Sequence, residues 1–152
     1  MIELKIINED NVLDIIKLWT TLDDYQKSCV APNAVSLAQA YASKRAWPRA
    51  IYDNQTPVGF VMLALHDDDI PKEDQPSYYL WRFMIAKEYQ NKGIGKKVLD
   101  LIYAKAKEDK QKYLYTSCEV EGDMPYAFYM SYGFEDINIK DGSEEILKIR
   151  IK

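Results

Sequence analysis

Residues 88–97 read EYQNKGIGKK, and the meaning of this short run decides how the rest of the chain is read. Its two glycines, Gly93 and Gly95, follow a predicted strand at 78–85 and open the best helical pattern in the chain, residues 95–110. Ile94, Val98, Leu101 and Ile102 share one face of that helix, with lysines and Asp100 opposite. Two phosphate-binding patterns fail on spacing. A P-loop needs G-x-x-x-x-G-K-[ST], but Gln90 stands at its first glycine and Lys97 at its hydroxyl position. A dinucleotide fingerprint needs a third glycine where Val98 stands, and the predicted strand ends too early for it. What remains is Gln90-x-x-Gly93-x-Gly95 at the start of a long helix. Glycines allow unusual φ and close approach of a ligand, and a helix N-terminus with a nest of N–H groups favours a pyrophosphate. Lys92, Lys96 and Lys97 add positive charge. The alternative is a plain glycine-rich start to a helix.

The bulk properties narrow the partners. A chain of 152 residues, 47% hydrophobic, is one domain with enough length to bury a core. A net charge of −4 argues against broad nucleic-acid binding, which needs a positive face, and fits a cationic partner better. Cys29 and Cys118 show no C-x-x-C spacing, and a single histidine, His66, leaves too few ligands for a zinc site, so no metal is expected. MIELKIINED carries no basic, apolar leader, and no run is long enough to span a membrane. The expected location is the cytoplasm.

Alternation of Ile2, Leu4 and Ile6 with charged residues predicts a strand. Val12, Ile15, Ile16 and Trp19 predict a helix, and a second follows at 35–44. Strands are expected at 50–52 and 58–65, joined by a polar turn, then at 78–85 after an acidic loop at 66–77. After the helix at 95–110 come a strand at 113–118, a helix starting at Pro125 and stopped by Gly133, and a final hairpin around Asp141-Gly142. The prediction is a single α/β (α+β) domain over residues 1–152, with a mixed, mostly antiparallel sheet and a central β-α-β unit.

The stretch YYLWRFMIAKEYQNKGIGKKVLDLI resembles the central motif of the GNAT superfamily, the acetyl-CoA-dependent N-acetyltransferases. PYAFYMSYGFE resembles that family's A-x-Y-x-x-x-G-F element, with Ala127, Tyr129, Gly133 and Phe134 in register. Two motifs in the right order and at the right separation are far more specific than either alone. Within the family, WRFMIAKEYQNKGIGKK looks most like the bacterial spermine/spermidine acetyltransferases.

The resemblance implies direct acetyl transfer from the co-substrate acetyl-CoA to a primary amine, without a covalent enzyme intermediate. It assigns CoA binding to Gln90, Asn91, Lys92, Gly93, Ile94, Gly95 and Lys96, with backbone groups of Met84 and Ile85 pairing the pantetheine arm. Tyr129 falls where the general acid stands, and the other reading of Tyr129 is a buried aromatic. Glu119 and Glu121 are the candidates for the base, or else solvated loop acids; Trp81 closes the route through the preceding strand. Many relatives carry asparagine where this chain reads EVEGDMPY, with Glu121 and Gly122 near that place.

Acids at 67–69, 73–74 and at Glu119, Glu121 and Asp123 either attract a polycation or form solvated turns. Trp19, Tyr25, Trp47 and Trp81 either line an acceptor pocket or belong to the core. The expected acceptor is a small cationic amine such as spermidine or spermine. The alternatives are aminoglycosides, protein N-termini, or a non-catalytic acyl-CoA-binding sensor. A homodimer is common in the family, and nothing in the sequence specifies an interface.

Overall fold

A computed structural model describes residues 1–121 and 125–152, so Gly122 and Asp123 of the sequence reading lie outside the described residues. The elements run β1 (Ile2–Lys5), α1 (Val12–Trp19), α2 (Asp24–Cys29), α3 (Asn33–Ala42), β2 (Ala46–Asp53), β3 (Thr56–Ala64), β4 (Tyr78–Ile85), α4 (Ile94–Glu108), β5 (Tyr113–Glu119), α5 (Tyr126–Tyr132), β6 (Glu135–Asp141) and β7 (Glu144–Arg150). Seven strands form one sheet in the order β1-β2-β3-β4-β5-β7-β6. Among the described residues only β4 and β5 are parallel, because α4 carries the chain across between them; every other neighbouring pair is antiparallel. The expected mixed, mostly antiparallel sheet with a central β-α-β unit is what the chain forms.

A core lies on each face of the sheet. On one face Ile94, Val98, Leu99 and Ile102 of α4 pack with Val61, Leu63, Leu114 and Leu147, and with Tyr129 and Phe134 from the α5 region. On the other, Ile15 of α1 packs with Phe60, Met62 and Met84. The stripe of α4 runs through Leu99, fully buried, and not through the predicted Leu101, which is 38% exposed on its flank. Further departures have equally local causes. α2 was not predicted, although Asp23 and Gln26 form a capping box across its first turn. β2 begins at Ala46 and contains Pro48, where only 50–52 were expected. The proline is tolerated because β1 reaches only Ala50–Asp53, so at Pro48 that side of β2 faces no strand.

Two bulges shape the centre of the sheet. In β3, Val58 is the extra residue between the Ile51↔Gly59 and Tyr52↔Pro57 pairs. In β4, Trp81 is the extra residue between Leu63↔Leu80 and Met62↔Arg82. The second bulge reverses the side-chain alternation of β4: Tyr78 and Leu80 face α4 before it, Phe83 and Ile85 after it. Pairing of β4 with β5 stops at the same place, after Tyr78↔Leu114, Tyr79↔Tyr115 and Leu80↔Thr116. A bulge bends its strand and increases the twist, which ends pairing with the neighbour.

The acidic loop at 66–77 is anchored from below. Asp74 is 8% exposed and accepts hydrogen bonds from the Tyr115 hydroxyl and, at 2.9 Å, from Lys148 of β7. Burial works against its charge, but those two donors outweigh it and hold the carboxyl below the usual carboxylate range. The stability this contributes is present above the unfolded pKa and is lost as pH falls through the lower folded one. Asp74→Ala strands the Lys148 ammonium, so it should cost about 3 kcal/mol in urea unfolding at neutral pH, and much less at a pH where the carboxyl is already protonated. Equal losses at both pH values would assign Asp74 a packing role instead of an electrostatic one.

Candidate active site

Because β4 and β5 part after Leu80 and Thr116, the edge of β4 from Trp81 to Ile85 has no described strand beside it. The gap opens into a cleft of about 900 Å³, lined by β4, β5, α2, the first turn of α4, and residues of α5 and the last hairpin. Backbone groups along a strand edge without a partner need hydrogen bonds from water or a ligand. The Thr116 hydroxyl donates to the Leu80 carbonyl at 3.1 Å and pins the fork.

At one end of the gap lies the turn that precedes α4. Asn91 at φ 62 and Gly93 at φ 80 both adopt the left-handed region. Gly93 caps α4 without a side-chain hydrogen bond, and no acidic residue stands in the first turn. Gly93, Ile94, Gly95 and Lys96 all face the cleft. The N–H groups of a first helical turn have no partner inside the helix. The charged side chains of that turn, Lys96 and Lys97, are both positive, so the helix end favours an anion in both field and geometry. Gly95 also serves the packing of the helices. A Cβ there would come within 3.1 Å of the Phe128 ring, so its absence lets α5 close on α4.

Tyr129 is 6% exposed, packed between Phe128 and Phe134 at ring distances of 5.4 and 5.3 Å. Burial raises its pKa, followed by the field of Cys118, while the neighbouring Thr116 opposes them. The phenol is therefore protonated across the physiological range and sits at the fork, on the α4 side of the sheet. Burial pushes the neighbouring Cys118 thiol up to about 12, the wrong direction for a nucleophile. His66 pairs with Asp68 at 2.6 Å on the exposed loop and lies outside the lining of the cleft that Cys29 and Cys118 share. The groups for a Cys–His covalent route are thus not brought together.

The opposite face of the gap is acidic. Register places Glu119 of β5 beside Glu144 of β7, and Glu144 beside Asp141 of β6. These three line the cleft together with Asp67, Asp69, Tyr79 and Trp81. A strand edge open to an extended arm, an anion-binding helix end and a protonated phenol between them suit transfer of a group carried on a phosphorylated thioester. The profile of the Acetyltransferase (GNAT) family matches residues 12–134. The chain belongs to this family. It is an acetyl-CoA-dependent N-acetyltransferase. It is 30% identical over 135 residues, 88% of each chain, to the probable spermine N(1)-acetyltransferase of Bacillus subtilis subsp. natto (strain BEST195). The spermine/spermidine N(1)-acetyltransferase of Bacillus subtilis (strain 168) matches at the same identity and coverage. Among solved structures, an acetyltransferase from Thermus thermophilus superposes with a TM-score of 0.76 at 18% identity, covering 99% of this chain and 97% of that one. The PaiA N-acetyltransferase from Thermoplasma acidophilum, in complex with coenzyme A, gives 0.70 at 15% identity and 99% of both chains.

The sequence-predicted residues of this acetyltransferase divide as follows. Met84, Ile85, Gln90, Asn91, Gly93, Ile94, Gly95, Lys96 and Tyr129 line one cleft. The Gln90 amide is engaged inside the protein, donating to the Ile85 carbonyl at 2.9 Å and pairing with Gln26 of α2 at 2.9 Å. Lys92 lies outside the cleft lining, over the Tyr89 ring at 5.8 Å. Glu119 lines the cleft and accepts from Ser143 at 2.6 Å. Glu121 is exposed, and its carbonyl accepts from the Tyr25 hydroxyl. Of the four aromatic candidates, Tyr25 and Trp81 reach the cleft. Trp19 donates to the Val30 carbonyl at 3.0 Å, and Trp47 stacks under Arg49 at 4.0 Å. Sequence reasoning missed Glu144, Tyr79 and Ser117. Nothing in a linear pattern places the first residue of the last strand next to Glu119.

Gly93→Ala forces an alanine to φ 80, with open space around it, so strain and not a clash is the consequence. Stability should fall by about 1 kcal/mol, and CoA affinity by calorimetry should fall at least tenfold. Gly142→Ala, at φ 63 in the last hairpin, is the control. It should cost similar stability and leave CoA affinity intact. Equal affinities for both variants would remove the α4 turn from the cofactor site.

Proposed function

We propose that the acceptor is a small polycationic amine of the spermidine or spermine class. The observation that carries this is the acidic wall on the acceptor side of the fork, where Asp67, Asp69, Glu119, Asp141 and Glu144 line one cleft with Tyr79 and Trp81. A chain of several ammonium groups is attracted by such a surface, and the aromatic rings accommodate its methylene segments. The two Bacillus relatives, named for spermine and spermidine, support the same class.

In this reading the pyrophosphate of acetyl-CoA rests on the first turn of α4, through Gly93, Ile94, Gly95 and Lys96. The edge of β4 at Met84 and Ile85 pairs the extended arm and brings the thioester to the fork. Gln90, held by Gln26 and the Ile85 carbonyl, fixes the turn in place. The amine attacks from the acidic face, and Tyr129 faces the departing sulfur from the other. A phenol held above its ordinary pKa is a reluctant acid, so its contribution is a short hydrogen bond to the developing thiolate, with proton transfer completed as the C–S bond breaks.

Release of free CoA from acetyl-CoA across an amine panel tests this directly. Spermidine and spermine should exceed a monoamine of similar length by at least tenfold in kcat/KM, and the advantage should shrink as salt is raised. Preference for an uncharged or singly charged acceptor would overturn the polyamine reading. Tyr129→Phe should lower kcat at least tenfold with little change in CoA affinity. An unchanged kcat would remove Tyr129 from the chemistry.

A further inference from the structure

An alkylammonium has a pKa near 10, so the acceptor arrives protonated and needs a base before it can attack. Among the carboxylates of the acidic wall, Glu144 is the central one, flanked in register by Glu119 of β5 and Asp141 of β6. It is half-buried, and its Oε2 accepts from the Ser117 hydroxyl at 3.1 Å. Glu119 is also half-buried and accepts from Ser143 at 2.6 Å, but it has a carboxylate beside it in register on one side only, and Glu121 is exposed and outside the cleft lining. Glu144 also lies within the electrostatic reach of Tyr129, which packs on the far face of the sheet.

We propose that Glu144 is the general base of the reaction, taking the proton from the acceptor's ammonium group on one side of the fork while Tyr129 faces the departing sulfur on the other. This rests on the acceptor reading above. The ammonium proton passes to the Glu144 carboxylate and from there to solvent. The freed nitrogen lone pair forms the C–N bond, and the C–S bond breaks with its electron pair on sulfur. Sulfur takes a proton from Tyr129, which is restored by the second proton leaving nitrogen. The sum is ammonium plus thioester giving amide, free thiol and one proton.

The environment supports the assignment from every packed element. Burial raises the Glu144 pKa; the Ser117 hydrogen bond lowers it, Glu119 and Asp141 raise it, and Arg82 of β4 lowers it, leaving it above the ordinary carboxylate value. Tyr79, Cys118 and Tyr129 also feel it, and burial holds all three neutral. A carboxylate raised in this way is a better match to an ammonium proton than an exposed one, and it is ionised above its pKa. Activity should therefore rise with pH through the Glu144 carboxyl and hold above it.

The test compares kcat/KM profiles from about pH 5 to pH 9 for wild type, E144Q, E144D and E119Q, using spermidine and acetyl-CoA. Glutamine keeps an acceptor for Ser117, and thermal midpoints and CoA affinity verify that each variant is folded and loaded. E144Q should fall about 100-fold near neutral pH and lose the acidic limb, while E144D keeps the limb at reduced rate. E119Q should keep the limb. An E144Q enzyme that retains wild-type rate and limb, or a limb that disappears in E119Q instead, overturns the Glu144 assignment alone. A wild type that turns over no amine overturns the acceptor reading and this inference with it.

Discussion

The parting of β4 from β5 after Leu80 and Thr116 is the constraint on which the site depends. Parallel strands buried in a sheet normally pair along their whole length, because each abandoned backbone group costs about as much as a lost hydrogen bond. Here the extra residue Trp81 turns β4 away, and the Thr116 hydroxyl binds the Leu80 carbonyl at the point of separation. The consequence is an exposed strand edge inside the protein. The bulge also swaps the faces of the following residues, so Met84 joins the α1 core while Phe83 and Ile85 turn toward α4.

The charge distribution follows the fork. One end of the gap is a helix N-terminus with lysines and no acid in its first turn, which is unfavourable for the free helix and favourable for a bound anion. The other end carries carboxylates from β5, β7 and β6 side by side across the sheet, which repel one another in the absence of a cation. A chain with a net charge of −4 thus holds two local fields of opposite sign in one cleft. Lys96 is paired with Asp100 at 3.3 Å, and Glu119 and Glu144 each accept from one serine, so both fields are only partly compensated by the protein itself.

The half of the candidate site proposed for the cofactor could be read from the sequence because it is local. Gly93, Gly95 and the helix they open lie within a few residues of one another, and the requirement for left-handed backbone is visible in the residue type itself. Tyr129 was legible through a second motif, bounded by Pro125 and Gly133. The half proposed for the acceptor could not, because its residues are brought together by topology. The last hairpin inserts β7 between β5 and β6, so Glu144 faces Glu119 across a strand pairing whose register no periodicity reveals. The errors in the helices are of another kind. Leu99 and Leu101 are both leucines on one amphipathic helix, and which one faces the sheet is set by a phase that the pattern leaves open by one residue. The capping box of α2 was present as Asp23 and Gln26, but the segment has no buried residue to give it an apolar stripe.

The acidic loop illustrates why a cluster of like charges cannot be read as a unit. Asp68 pairs with His66 in solvent, Asp74 is consumed by Tyr115 and Lys148, and Asp67 and Asp69 face the cleft. The consumed member matters most for the others. Lys148 and Glu144 lie four apart on β7, so their side chains emerge on the same face of the sheet. The ion pair between Lys148 and Asp74 therefore ties the acidic loop to the strand that carries Glu144. Two acidic segments far apart in sequence, one before β4 and one after β6, are tied together by a pair that lies outside the cleft lining. The polycation proposed as acceptor would meet a preformed spacing of negative charge, because that surface is ordered by the fold itself.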